Sequence, residues 1–332
     1  MRYTFLILAL VGFAISNAQK LEQLSTGSKI SIRGMSVVDD RVIWVSGSNG
    51  TVGKSVDGGA SWQWLPVKGF EKRDFRDIEA FDKNTAIIIA IAEPAQILKT
   101  TDGGVNWKIV FTDSSKGMFL DAMDFYNKKN GLVVGDPVDG KFFFAYTKNK
   151  GDKWIIFNGG KNQRKWVANE GEAFFASSGT NIKYLKKNKY RLVSGGKTAR
   201  WFDENGDHPL SIVQGKESTG ANSIAVYKNQ YAVVGGDFSN DKDSARNCLI
   251  TKDGGINWLS PATAPRGYRS CVIYLSPTRL VTCGTSGVDI SDDGGINWRP
   301  ISTEGFHVCQ NAKKGNAIFL AGGNGRIAKL TF

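Results

Sequence analysis

Short apolar runs rich in Val, Ile, Phe and Tyr alternate with Gly, Asn and Asp turns along most of the chain. No stretch carries a convincing helical period, so the pattern predicts strands joined by tight turns. The turns repeat. Asp-Gly-Gly-x-x-Trp follows a short apolar strand four times, from Asp57 to Trp62, Asp102 to Trp107, Asp253 to Trp258 and Asp293 to Trp298. A worn copy reads Lys150-Gly151-Asp152-Lys153-Trp154, and a remnant stands at Asp203-Glu204-Asn205-Gly206-Asp207. An interval of about 40–50 residues between strand-rich repeats is the period of a propeller blade.

Cut at the repeats, the chain reads as seven blades of four strands. Blade 1 runs through 32–38, 41–47, Thr51–Ser55 and 62–65, and blades 2 to 7 begin near Asp74, Phe119, Gly171, Ala221, Gly267 and Phe306. Blade 7 ends on 326–332 as its third strand and lacks a fourth. A spare strand at 21–25 precedes blade 1, and placing it in blade 7 closes the ring with no open sheet edge. The expected fold class is all-β: a seven-bladed β-propeller whose N-terminal strand completes the last blade.

Residues 1–18 are of a different kind. Arg2, an apolar stretch from Phe5 to Ile15 and the small-residue site Ser16-Asn17-Ala18 have the form of a cleavable signal peptide, with cleavage expected after Ala18. The apolar run is too short for a confident membrane span. The mature domain, 19–332, is therefore expected to be secreted or periplasmic, without stable membrane insertion, and monomeric. The formal charge of +12 is spread out, with a mild concentration at Lys183, Lys186, Lys187, Lys189 and Arg191. That suits a solvated hairpin and makes anionic surfaces a class of partner to consider.

Four cysteines are too few for a disulfide scaffold in a chain of this length. Cys271 and Cys283 flank a turn around Pro277, which leaves a cross-strand bridge open, while Cys248 and Cys309 read as buried small apolar residues. No Cys-x-x-Cys occurs, so thiol-redox and zinc chemistry lack their usual motif.

The repeat has a physical reading. Gly-Gly supplies the positive φ of a tight hairpin, Asp accepts hydrogen bonds from the turn backbone, and Trp opens the outer strand and packs beneath the turn. Asp57, Trp62, Asp102, Trp107, Asp253, Trp258, Asp293 and Trp298 are thus structural. The pattern resembles the Asp-box, or bacterial neuraminidase repeat, of sialidases and other propellers. The fuller form Lys99-Thr100-Thr101-Asp102-Gly103-Gly104-Val105-Asn106-Trp107 is similar to the photosystem II stability/assembly factor family. So are Phe75-Arg76-Asp77, Gly171-Glu172-Ala173-Phe174 and Gly267-Tyr268-Arg269-Ser270, which resemble exported bacterial members. The resemblance spans nearly the whole mature chain. It implies a propeller that serves as an assembly or binding scaffold, with no catalysis or cofactor attached to it.

Chemistry is sought at the central channel, which the first strand of each blade lines. Aligning those strands on Met35, Ile78, Met123, Phe174, Ile224, Cys271 and Cys309 places Arg33, Arg76, Asp121, Glu172, Asn222, Arg269 and His307 two residues earlier. Every one is polar, so the expected site is a ligand-binding ring at the channel mouth whose guanidinium forks grip a carboxylate or phosphate. A water-filled channel with mutually paired charges explains the same pattern. A protein partner or an anionic glycan fits such a ring.

The sharpest enzymatic alternative is a sialidase-like glycoside hydrolase or lyase, with Arg33, Arg76 and Arg269 as an arginine triad and Tyr268 or Glu172 in the reaction. Against it, Ile32-Arg33-Gly34 stands where sialidases carry Arg-Ile-Pro, and sialidases have six blades. An oxidoreductase is the minor alternative, because the dinucleotide fingerprint and haem motif are missing. Two histidines give no metal site, and the acidic loop 237–243 lacks the spacing of a calcium cage. Nucleic acid is not an expected partner. The function expected from the sequence is an exported, non-catalytic binding scaffold.

Overall fold

A computed structural model describes residues 19–25, 28–157 and 166–332, so the expected signal peptide, 1–18, lies outside the described residues. Seven antiparallel sheets form the blades of a propeller ring. Blade 1 is built from Ile32–Val37, Ile43–Gly47, Thr51–Ser55 and Gln63–Pro66, ordered from the channel outward. The second strands of blades 1, 2, 6 and 7 are buried along their whole length, as in Ala86–Ala90, because each is covered by a neighbouring blade on both faces. That burial explains why they read as unbroken apolar runs. The core accordingly lies between blades. Trp44 and Val52 of blade 1, for example, pack on Phe75, Ile78, Ile88 and Leu98 of blade 2.

The ring closes as the sequence predicts. Lys20–Ser25 pairs antiparallel with Ile327–Thr331, Leu21 facing Leu330 and Gln23 facing Ala328, and becomes the outer strand of blade 7. Ile32 N–H donates to the Gly322 carbonyl at 3.1 Å, joining blade 1 to blade 7 across the seam.

Each Asp-Gly-Gly-x-x-Trp turn, called a box below, is a closed hydrogen-bond unit. Thr100 Oγ1 donates to Asp102 and accepts the Gly104 N–H, while Asp102 accepts the Asn106 backbone and side-chain amides. Those amides, the backbone N–H first, hold the Asp102 carboxyl down at about 2. Trp62, Trp107 and Trp298 donate Nε1–H to the second box glycine at 3.0–3.2 Å. The worn copy keeps the geometry, but Asn149 takes the Asp role, accepting from Thr147 and the Lys153 N–H. Asp152, by contrast, faces Lys99 of blade 2 at 2.7 Å. The remnant at 203–207 is a short hairpin turn between Arg200–Phe202 and Asp207–Pro209, with no box tryptophan.

Cys271 and Cys283 are opposite one another across blade 6, as the hairpin reading requires, and all four cysteines are buried free thiols. Cys271 and Cys309 come within 3.7 Å between blades 6 and 7.

One blade departs from its expected position. The inner strand of blade 4 is Ile182–Lys186, and the strand expected near Gly171 is a two-residue pair, Glu172–Ala173, joined to Gly195–Gly196 at the edge of blade 5. Residues 174–181 are an insertion between them.

Candidate functional site

The channel ring is produced by a backbone device. The inner strands of blades 1, 2, 3 and 5 each carry a register shift, and the residue set outside the ladder is Arg33, Arg76, Asp121 and Asn222 respectively. A β-bulge leaves one residue unpaired and re-aims its side chain. His307 holds the same place in blade 7: its N–H donates to Ala321, and Nδ1 lies 3.1 Å from the Ile32 carbonyl of blade 1. Five of the seven expected ring residues therefore occupy it.

Two do not. In blade 6 the residue matching His307 is Ser270, whose N–H donates to Cys283 and whose Oγ donates to the His307 carbonyl at 2.6 Å. Arg269 is one position earlier and points into the blade, only 1% exposed. Its Nε donates to Asp289 at 2.7 Å, Nη2 pairs with the same carboxylate, and Nη1 donates to the Tyr268 carbonyl and Ser286. The alignment on Cys271 was one residue out: Cys271 faces Cys283 as Val308 faces Ala321, so the position matching the Cys309 anchor is Val272. Glu172 is also off the channel. Displaced with its two-residue strand, it pairs with Arg200 at 2.6 Å and accepts the Asn169 N–H, while Phe174 packs in the apolar core of blade 4. The arginine triad required for a sialidase-like site is therefore not assembled: Arg269 is separated from the mouth and fully engaged.

The insertion explains what fills the channel. Ala176, Ser177, Ser178 and Thr180 are buried and reach blades 2, 5 and 6. Arg76 of blade 2 donates to the Ala176 carbonyl at 3.5 Å, and Ser177 donates to Asn222 of blade 5 at 2.7 Å. Ser178 donates to the Ser270 carbonyl of blade 6, and Thr180 to Ser223 of blade 5. Gly179 has φ +68 and lies so close to Asp77 that a Cβ would fall 2.3 Å from its carboxyl carbon. This small-residue segment plugs the ring. Tyr268, which the sequence placed in a reaction, seals the plug by donating to Ser177 and Asn222, and burial lifts its hydroxyl to about 12.

Above the plug remains a cationic mouth. Arg76 is 26% exposed and meets Asp74 at 3.3 Å, but its Nε is buried without a partner. Arg33 makes no side-chain hydrogen bond or ion pair among the described residues. Burial, then the Arg76 charge, lowers its pKa against the pull of Tyr268 and Asp74. His307 is driven to about 4 by burial and by the Arg33 charge, so it is neutral at ordinary pH. Asp121 lies beneath, fully buried, and burial followed by Asp136 raises its pKa well above the carboxylate range. Asp136, lifted to about 7 by burial, accepts the Phe174 N–H at 3.0 Å. Among the described residues the carboxylate in ion-pair contact with this mouth is Asp74, on Arg76. A groove of about 540 Å³ lies beside the mouth between blades 2 and 3, its charged lining made of Lys72, Arg73, Asp74 and Glu93.

Among the described residues no group of three or more His, Cys, Asp or Glu is arranged to hold a metal ion, the 237–243 loop included. No helix among them is long and apolar enough to cross a membrane.

No family model matches the chain, and no curated protein matches it by sequence. Solved structures do. The chain is similar to YCF48, a photosystem II assembly factor, in a structure described as "YCF48 bound to D1 peptide", at TM-score 0.68 and 16% identity over 96% of both chains. YCF48 from Cyanidioschyzon merolae aligns at TM-score 0.62 and 15% identity, over 93% of this chain and 98% of that one. A family 74 glycoside hydrolase, the xyloglucanase of Xanthomonas campestris, aligns at TM-score 0.56 and 12% identity, and the match spans only 53% of its length. At these identities the likeness is one of fold. The resemblance to the photosystem II assembly factor family read from the sequence holds at that level, in a seven-bladed all-β ring.

Proposed function

We propose that this chain is an exported, non-catalytic binding and assembly scaffold that grips an acidic group of a protein partner at the mouth of its plugged channel. One observation carries the reading: Arg33 makes no side-chain hydrogen bond or ion pair among the described residues, and Arg76 beside it keeps a buried Nε unpaired. Withdrawing a guanidinium from water without compensation is costly, and a carboxylate bound across two forks supplies the missing acceptors. His307 stays neutral there and adds a polar wall without a third charge. The plug leaves a shallow mouth in place of a through-channel, a shape suited to a side chain or chain end presented by a folded or extended partner. A propeller of the same architecture that holds a peptide, YCF48 with its D1 peptide, supports a protein as the partner.

The test is an array of short acidic, neutral and basic peptides probed with the wild type and with Arg33→Gln/Arg76→Gln. Acidic peptides are expected to be retained by the wild type and at least tenfold less by the double variant. Equal retention by both proteins would remove the mouth as the binding surface.

A further inference from the structure

A second site follows from the junction between blades 3 and 4, where the box turn is lost and no other residue described takes its place. The second box glycine packs on the preceding blade wherever a box is kept: Gly59 on Phe319, Gly104 on Trp44, Gly151 on Ile87, Gly255 on Trp201 and Gly295 on Ile250. Blade 7 has no box because its outer strand comes from the N-terminus, and there Phe332 stacks under Arg279 at 4.5 Å. Blade 4 has only the short turn after Phe202, so among the described residues no box turn reaches back over blade 3. Leu132 stands where blades 1 and 2 have Trp44 and Ile87, as its pairing with Asp124 matches Ser36 with Trp44 and Glu79 with Ile87.

The uncovered junction is a half-enclosed cavity of about 680 Å³, within the range of small-molecule sites. Leu132 forms part of its wall, with Phe144, Tyr146, Trp166, Tyr184 and Tyr190 around it. Trp166 lies 4.0 Å from the Phe144 ring centre and 5.7 Å from that of Tyr190, giving a continuous aromatic wall. The charges on the lining are unequal. Glu204 is paired with Arg191 at 2.8 Å, whereas Lys148 and Lys187 have no ion pair among the described residues. Lys183, Lys186 and Lys189 on the same hairpin add to the positive field.

We propose that this cavity binds a small anionic molecule with a planar apolar body, its rings stacked on the aromatic wall and its acidic group facing Lys148 and Lys187. Flat π-faces favour a planar guest, and the lysines select its charge. The site lies between blades 3 and 4 on the face that carries the box turns, and it is independent of the channel mouth.

The probe is 1-anilinonaphthalene-8-sulfonate, titrated against the folded chain by fluorescence. One saturable site is expected, weakened at least tenfold by Lys148→Glu/Lys187→Glu and by Leu132→Trp, which fills the cavity with the residue blade 1 uses at that position. Arg33→Gln/Arg76→Gln is expected to leave the affinity within twofold. Because the lysines are not part of the core, their variant reports on the site even if Leu132→Trp misfolds, and thermal melting identifies that case. The absence of saturable binding would overturn the proposal. So would an affinity that ignores the lysine variant, one that follows the mouth variant, or a cavity that takes an acidic Trp-bearing peptide but not the dye.

Discussion

Replacing Arg269 by methionine separates two places for this residue, inside blade 6 or on the channel. The guanidinium and Asp289 are each about 1% exposed, and Arg269 also serves the Tyr268 carbonyl and Ser286. Arg269→Met leaves Asp289 buried without its counter-charge and orphans two further acceptors. Breaking one side of a buried pair costs about 3–5 kcal/mol, a large share of the roughly 5–15 kcal/mol by which domains are stable. Arg33→Met removes no contact and relieves repulsion from Arg76, so it is expected to cost less than about 1 kcal/mol. Replacing both partners, as in Arg269→Met/Asp289→Leu, is expected to restore most of the loss, because apolar substitutes for a buried pair are often neutral. Urea unfolding followed by tryptophan fluorescence measures all three. If Arg269→Met proves no more damaging than Arg33→Met, the assignment of Arg269 to the blade interior is wrong.

Three further outcomes follow from the geometry. His307, depressed to about 4 in the fold from an ordinary 6.5, favours its neutral form; its contribution, about 3 kcal/mol, is present above pH 6.5 and lost as pH falls toward 4. Asp136, raised from 3.8 to about 7, acts in the opposite direction, stabilising at low pH and losing that contribution as pH rises through 7. Urea titrations between pH 4 and 7 should therefore show stability falling more steeply with pH in His307→Gln and rising more steeply in Asp136→Asn; superimposable profiles would contradict both assignments. Gly179→Ala meets a left-handed backbone, worth about 1–2 kcal/mol by itself, and the Asp77 carboxyl. An unchanged melting temperature would show that the segment does not thread the ring. Cys248, Cys271, Cys283 and Cys309 should resist a thiol reagent in the native protein and all react in urea, and any native labelling or missing thiol would refute their buried, reduced state.

The fold was legible because its devices are local. A box needs a hydroxyl, an Asp or Asn, a positive-φ glycine and a tryptophan at fixed spacing, and each copy marks one hairpin of one blade. The closing strand was legible as a spare apolar segment facing a blade one strand short. Five ring residues were found because each stands two positions before an apolar anchor, in four of them at a shared bulge. Blade 4 was misplaced where local signals fail: Phe174 looks like such an anchor, but the true inner strand starts at Ile182, after a run of small residues that threads the channel. The run Ala176-Ser177-Ser178-Gly179 was the available sign, since it lacks the bulk of a strand that packs against its neighbours. Arg269 failed for a subtler reason. Only the pairing of Ser270 with Cys283 shows which residue stands at the ring, and that contact is invisible in one blade's sequence. The open junction of blade 3 required knowing what each box covers, which only the packed ring reveals.

The central claim is that Arg33 and Arg76 hold an acidic group of the partner. A double-mutant cycle by calorimetry tests it: the tightest acidic peptide and its Asn/Gln counterpart, each titrated into the wild type and into Arg33→Gln/Arg76→Gln. The account predicts a coupling of about 1.5 kcal/mol or more between the peptide carboxylate and the arginine pair, as close charge pairs give across interfaces. A coupling of about zero, with the acidic peptide binding both proteins alike, would contradict it.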